Sequence, residues 1–381
     1  MLIGIDGCRS DALQQANTPN IDGLLSSALY SFDSWHTGIT FSGPSWSTVL
    51  TGVQWNKHGV TNNLFNGSNF NDFPAFPKRA KELLPNLKCV EVVEWDPLAD
   101  DFYNDGWDKK IKVTDGSTSL TADSAIAQLQ DPSIDVLFTY FDKVDLTGHS
   151  STFSPSNSQY INAIEGVDGA VGMILNALYA RPTYASEEWL ILLVTDHGGI
   201  SFFHGGNSFE ERHIWWIASG NAVAHQQINE TDPGTYNCQL TNSFDSTCVD
   251  LNLLKQSPSQ PDIAVTAIHH LIFDTGVNPE TKPEWNLDGK SWLTLPSGIE
   301  EEEVAGIRIQ PNPASTNVSV FFNQPLAASI TLVTMQGQII AHQIVADNEM
   351  YLSLENIAAG MYFLNIHTGE KTVVKKLTVL Q

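Results

Sequence analysis

The segment W-L-I-L-L-V-T-D-H-G-G at residues 189–199 constrains the fold most. Its apolar run shows no polar alternation, so it reads as a strand buried on both faces. A sheet covered on both sides needs helices packed over it. The run stops at Asp196 and His197, and two glycines follow. A carboxylate and an imidazole at the C-terminal end of a parallel strand lie on the edge where open α/β sheets bind ligands. The glycines let the backbone turn sharply there and approach a ligand.

The same rhythm runs through residues 1–296. L-I-G-I at 2–5 is a short strand ending at Asp6, and V-L-F-T-Y-F-D at 136–142 is another buried strand. Residues 158–178 place Ile161, Ile164, Val167, Val171, Ile174, Leu175 and Leu178 at helical spacing. H-I-W-W-I-A-S-G at 213–220 reads as a strand, and 262–273 as an amphipathic helix with Asp262 as its expected cap. The expected fold class is α/β, a mostly parallel central sheet flanked by helices. A charged linker, 297–305, follows. Residues 306–381 change texture to short alternating runs separated by Gly, Pro and Asn, as in a small all-β sandwich.

The 381 residues suffice for a large core and a second domain. The net charge of −24 argues against binding a nucleic-acid duplex. No run approaches the roughly 20 apolar residues of a membrane span. The chain opens inside a strand, without the basic and apolar regions of a signal peptide, so its true start is expected upstream. Of the four cysteines, Cys238 and Cys248 bracket a polar segment and are candidates for a local disulfide in an oxidising compartment, or for ordinary thiols.

Four segments place ligand-type residues beside glycines at expected strand ends. They carry Asp6, then Ser42 in F-S-G-P-S-W-S-T-V-L-T-G, then Asp145 and His149 in F-D-K-V-D-L-T-G-H, then Asp196, His197 and His204 in T-D-H-G-G-I-S-F-F-H-G-G. Singly, each has an ordinary structural explanation as a cap or a packed histidine. Together they supply the carboxylates and imidazoles that bind zinc and similar divalent ions. Three carboxylates and a serine alkoxide carry about four negative charges, which two divalent cations would neutralise. Zinc suits the donors best, with manganese the alternative. His213 lies near enough in sequence to compete with His204, although Gly205 and Gly206 favour His204.

I-D-G-C-R-S-D-A-L with T-P-N-I-D, S-G-P-S-W-S-T-V-L-T-G with K-H-G-V-T-N-N, D-L-T-G-H, T-D-H-G-G, H-G-G-N-S and L-D-G-K-S-W follow one another in order along residues 2–296. In these motifs the chain resembles the alkaline phosphatase superfamily, nearest its type I phosphodiesterase/nucleotide pyrophosphatase branch. The resemblance implies one metal site from Asp145, His149 and His204, and another from Asp6, Asp196, His197 and the Ser42 oxygen. It implies that Ser42 is a nucleophile forming a phosphoserine intermediate, and that Asn63 hydrogen-bonds a phosphoryl oxygen, helped by backbone amides near Gly43. Pro44 places Ser42 on a bend that opens a helix. The implied substrate is a small-molecule phosphate ester.

The tail pieces P-N-P-A-S-T-N, M-Q-G-Q, L-E-N-I-A-A-G-M-Y-F-L and K-K-L-T-V-L resemble the C-terminal sorting domain of the type IX secretion system of Bacteroidota. That resemblance implies the type IX machinery as a partner and a secreted or cell-surface location. Phosphodiesters or nucleotide pyrophosphates are the expected substrates, with a phosphomonoesterase as the alternative. A sulfatase is a weaker reading, because Trp46 stands where the sulfatase signature carries Arg. An inactive binding domain is weaker again, because no ligand position is missing. Lys143 is a candidate substrate contact or a solvated lysine. Trp46, Trp55 and Phe65 are candidates for a stacking surface or for core packing.

Overall fold

The computed structural model describes residues 1–228, 256–293, 307–334, 339–367 and 372–380. Cys238 and Cys248 lie outside the described residues. The chain divides into two compact units, Met1–Leu293 and Thr294–Gln381.

The first unit is built on eight strands: β1 (Leu2–Ile5), β2 (Ala28–Trp35), β3 (Cys89–Val93), β4 (Lys109–Lys112), β5 (Val136–Phe141), β6 (Ile191–Val194), β7 (His213–Ser219) and β8 (Gln226–Gln227). They form one sheet in the order β4-β3-β5-β1-β6-β7-β2-β8. Every residue of β1, β3, β5 and β6 is buried, as expected of strands covered on both faces. The sheet is parallel from β4 to β6, and β2 is parallel to β8. The strand at 213–220 departs from that pattern, because β7 runs antiparallel to both β6 and β2. A parallel return needs a crossover long enough to cross the sheet. Between β6 and β7 the chain makes only a loop and a four-residue helix, Phe209–Arg212, so it turns back from the edge it left. That excursion carries His204.

The helix Ser158–Tyr179 buries Tyr160, Ile164, Val167, Val171, Ile174 and Leu178. By length and composition it is apolar enough to cross a membrane, an exception to the expectation above, but its apolar face belongs to the core beside β1, β5 and β6. From the same helix the buried Asp168 accepts hydrogen bonds from the amides of Asn20 and Ile21. These are orphan donors in the first turn of the helix Pro19–Leu25, where a carboxylate is favoured. The helix expected at 262–273 spans Gln260–Ile272. Its cap is Ser259; Asp262 is the acidic partner three residues on, closing a capping box.

The second unit is all-β. β9 (Arg308–Gln310), β10 (Asn317–Thr334), β11 (Ile339–Ser353), β12 (Gly360–His367) and β13 (Thr372–Val379) pair in the order β11-β10-β12-β13, with β9 also on β10. All these pairings are antiparallel. β10 pairs with β9 through Ser319–Phe321 and with β12 through Ser329–Thr334. Val318 and Val320 from one end of β10 share a single core with Ile330 and Leu332 from the other, so the sheet folds over around it.

Candidate metal centre

The C-terminal ends of the neighbouring strands β5, β1 and β6 carry the acidic residues. Asp6 follows β1 directly, and its amide donates to Phe141 O at 2.9 Å. Asp196 lies two residues past β6, and its Oδ1 accepts from the Gly7 amide at 3.1 Å. Gly7 has φ 62, and a Cβ there would fall 2.5 Å from Asp145 Oδ1. Only glycine both turns the chain there and lets Asp145 approach.

Asp145 and His149 lie one turn apart on the helix Lys143–Ser151, which follows the strand end where the sequence placed them. The i,i+4 spacing puts both on one face. Ser42 opens the buried helix Ser42–Thr51. Gly43 lies within the helix, and Pro44 falls in its first turn, where its missing N–H costs little. His204 comes from the excursion between β6 and β7, where Ile200 and Phe203 exchange backbone hydrogen bonds of 2.9 and 3.1 Å in a tight hairpin. His213 is elsewhere. It starts β7 and pairs with Asp33 at 3.0 Å.

The sequence-predicted ligands therefore meet at one place. Asp6, Asp196 and His197 offer ligand atoms within 4.8 Å of one another, and so do Asp145, His197 and His204. His197 thus belongs to both groups, whereas the sequence put it in one. His149 borders the second group, with Nε2 3.3 Å from Asp145 Oδ2 and 3.1 Å from His204 Nε2. Ser42 Oγ is 3.3 Å from His197 Nε2.

Three observations bear on whether these residues fit a cation. Asp6 Oδ1, Asp145 Oδ1 and Asp196 Oδ2 are buried without a hydrogen-bond partner, one oxygen from each carboxylate. Each imidazole directs Nδ1 to a backbone carbonyl: His149 to Phe202 O at 2.8 Å, His197 to Gly198 O at 2.7 Å and His204 to Thr40 O at 2.8 Å. An Nδ1–H donated to a carbonyl leaves the Nε2 lone pair for a metal. Burial pushes the Asp6 and Asp196 carboxyls well above the usual range, and neighbouring carboxylates add to it. Burial also holds His197 well below its ordinary value, and lowers His204. His149 is pushed up to about 9, chiefly by its hydrogen bond to Asp145. The neutral His197 and His204 imidazoles and the buried carboxylate oxygens without hydrogen-bond partners fit divalent cations of the zinc type, and a cation beside His149 would displace its proton.

Asn63 Oδ1 accepts from the Gly43 amide at 2.8 Å. The Gly43 N–H expected to face a substrate is therefore committed to Asn63, whose own side chain is exposed. Trp46 and Phe65 are core residues, fully buried, and Trp55 is half-buried. Lys143 is exposed at the start of its helix. Sequence reading missed that Trp46 Nε1 and Tyr140 Oη both donate to Asp6 Oδ2, at 2.9 and 2.5 Å. The available signal was a tyrosine in a wholly buried strand, which must find a polar partner.

Fold and family match together place the chain in the alkaline phosphatase superfamily. Residues 1–96 and 90–207 match the profile of the type I phosphodiesterase / nucleotide pyrophosphatase family, and the chain belongs to that family. Residues 308–380 match the secretion system C-terminal sorting domain. The chain is 21% identical over 229 residues to human ectonucleotide pyrophosphatase/phosphodiesterase family member 7, covering 52% of this chain and 47% of that protein. It is 34% identical over 88 residues to β-agarase A of Zobellia galactanivorans, covering 23% of this chain and 15% of that protein. The chain thus spans about half, or less, of the curated relatives it matches. Among solved structures, murine ectonucleotide pyrophosphatase / phosphodiesterase 5 is similar at TM-score 0.53 and 12% identity, covering 71% of this chain and 94% of that chain. A sulfatase from a glycosaminoglycan-metabolising locus of Bacteroides thetaiotaomicron is similar at TM-score 0.53 and 13% identity, covering 91% and 89%. These structural likenesses concern the fold.

Proposed function

We propose that residues 1–296 form a metal-dependent phosphoesterase that cleaves phosphodiesters or nucleotide pyrophosphates through a phosphoserine on Ser42. The observation that carries this is the convergence of three unclaimed carboxylate oxygens and the imidazole Nε2 atoms beside Ser42 Oγ. Asp145, His149 and His204 would hold one ion, and Asp6, Asp196, His197 and Ser42 the other; zinc suits this donor set. Bound there, divalent ions lower the pKa of a coordinated hydroxyl or water and offset charge on phosphoryl oxygens.

Ser42 Oγ, having given up its proton to solvent, attacks phosphorus in line from the first turn of its helix, whose N-terminus favours an anionic group; the opposite P–O ester bond breaks, and the leaving oxygen departs and takes up a proton. Asn63 Nδ2 donates to an equatorial phosphoryl oxygen, its orientation held by the Gly43 amide on Oδ1. Water then breaks the Ser42 O–P bond, releasing the phosphate monoester and restoring the serine hydroxyl. The arginines that bond the loops around the cleft are committed. Arg9 pairs with Asp11 and donates to Phe153 O and Gly199 O, and Arg212 donates to His36 O and Gly38 O. A dianionic monoester would draw on such charge, so the singly charged phosphodiester is favoured over a monoester. The human relative's name and an AMP-bound structure of an inactive variant of the murine protein agree with a nucleotide-type ester. Against a sulfatase, the Trp46 indole is bonded inward to Asp6, where the sulfatase signature has an arginine.

The tail would route the chain through type IX secretion to the cell surface or medium. The test compares bis-p-nitrophenyl phosphate, p-nitrophenyl phosphate, a dinucleotide and p-nitrophenyl sulfate on metal-loaded protein. Diester turnover should dominate, and chelator should abolish it. Ser42→Ala should reduce it by ~10⁴-fold or more. Full activity in Ser42→Ala would sink the mechanism, and dominant sulfate release would sink the substrate class.

A further inference from the structure

Asp6 differs from the other two carboxylates in how its second oxygen is held. Asp6 Oδ2 accepts from Tyr140 Oη at 2.5 Å and from Trp46 Nε1 at 2.9 Å, and all three side chains are buried. A carboxylate oxygen has two in-plane lone pairs, and here two donors occupy them. Asp6 Oδ1, by contrast, has no hydrogen-bond partner in the same closed space, and faces His197 Nε2 at 3.5 Å. The donors come from different elements. Tyr140 lies on β5, adjacent to β1, and the two strands pair in register at Ile5 and Phe141. Trp46 is on the helix Ser42–Thr51, one turn after Ser42. The Trp46 and Tyr140 rings also pack edge to face, with centroids 5.1 Å apart. The Trp46 indole fills the space over Gly4, where a Cβ would fall 2.3 Å from it.

We infer that Tyr140 and Trp46 are positioning residues that commit Asp6 to bind an ion through Oδ1 alone, and that Trp46 locks this ligand to the helix bearing Ser42. The inference rests on the metal-site reading above. Two donors on the far oxygen fix the carboxylate plane and draw electron density from it. The ligand is thereby restricted to one oxygen and its rotation is blocked. Because the indole and Ser42 share one helical turn, the Trp46–Asp6 hydrogen bond, with the indole packed over Gly4 and against Tyr140, ties this ligand to the turn that carries the serine. No other carboxylate of the cluster is tied in this way. Asp196 Oδ1 is held by a backbone amide, and Asp145 Oδ2 faces His149.

The test uses the full chain with Tyr140→Phe, which removes one hydroxyl and keeps the ring, and Trp46→Phe, which removes the indole donor. Zinc affinity is read by competition with a chromophoric chelator, and the visible ligand-field spectrum after loading with Co²⁺. Each variant should lose about 10- to 100-fold in affinity for one of the two ions. Each should also shift the cobalt spectrum, because Asp6 is freed to rotate or to use both oxygens. A merely structural role would lower thermal stability and leave the spectrum and the affinity unchanged in Tyr140→Phe, and that result would overturn the inference. Asp6→Asn separates the two levels. If the wild type binds no ion, the site reading itself fails. If the wild type binds ions and Asp6→Asn loses one while both positioning variants match the wild type, only the inference fails.

Discussion

The two halves of the ligand cluster use the same donor types but are buried to different degrees. The Asp6, Asp196 and His197 side chains are 1%, 0% and 0% exposed. Asp145, His149 and His204 are 13%, 39% and 6% exposed. The sealed half stands on the ends of β1 and β6, backed by the sheet. The open half stands on a helix and a hairpin excursion. A carboxylate stripped of water gains most from a cation and loses most without one. In the proposed mechanism the sealed half would be the anchor beside the serine, and the open half the side on which water and substrate reach the cluster.

The largest effect that tests this difference is removal of one ligand from each half. Asp196→Asn should reduce diester turnover by ~10³-fold or more and release an ion, since it strips a ligand from the ion that serves Ser42. His149→Ala should cost only about 10- to 100-fold, because water can fill an exposed position. Equal losses, measured as kcat/KM with metal content by mass spectrometry, would break the comparison. Chelator titration gives a smaller contrast. Metal loss should occur in two phases, the open-half ion leaving first, with rates separated by about tenfold or more. A single phase would show that the halves act as one.

Much of this site was legible because its donors sit in short motifs at the ends of apolar runs. Asp6, Asp196 and His197 follow strands that the apolar pattern alone marks, and Gly205 and Gly206 pointed to His204 over His213. Other features were hidden because they depend on contacts between distant segments. The bond from Tyr140 to Asp6 joins residues 134 apart in sequence. The helix carrying Asp145 and His149 has polar and apolar residues without clear periodicity, so the sequence pattern did not mark it as a helix. β7 reversed direction because the chain before it has no crossover helix, and local pattern does not encode strand direction. Trp46 as a base-stacking surface failed for a related reason. An exposed stacking face and a buried indole have the same sequence signature, and only packing against Phe138 and Tyr140 separates them.

Glycines sharpen the same contrast at the level of stability. Gly198 lies between the sealed His197 and the hairpin, and a Cβ there would fall 2.0 Å from Glu210 O. Gly198→Ala should lower stability by about 1–3 kcal/mol through forced backbone movement, and reduce activity by displacing His204. Gly166, in the helix Ser158–Tyr179, has nothing within 4 Å of its Cβ position. Gly166→Ala should therefore raise stability by about 0.5–1 kcal/mol and leave activity unchanged. Thermal melts of both variants decide the matter, and destabilisation by Gly166→Ala would contradict the packing described.

The smallest effect concerns a buried carboxylate outside the cluster. Glu91 on β3 is 1% exposed, its Oε1 has no hydrogen-bond partner, and the Lys110 ammonium is 3.7 Å away. Burial pushes its carboxyl up to about 8, against the opposing pull of Lys110. Asp6 and Asp196 meet the same desolvation with a constellation of imidazoles and further carboxylates; Glu91 has one lysine at long range and takes up a proton instead. The sign follows from linkage. Its folded-state value lies above the unfolded value near 4.5, so the folded state holds the proton more tightly between those limits. The contribution is fully present below about pH 4.5 and is lost as pH rises through about 8. Glu91→Gln fixes the neutral form. In chelated protein, which removes any metal contribution, it should melt like the wild type at pH 6. At pH 9 it should melt about 2–4 °C higher, equivalent to about 1 kcal/mol. If the two proteins keep the same difference across that range, Glu91 is charged in the fold, and proton uptake does not explain how an isolated carboxyl survives burial here.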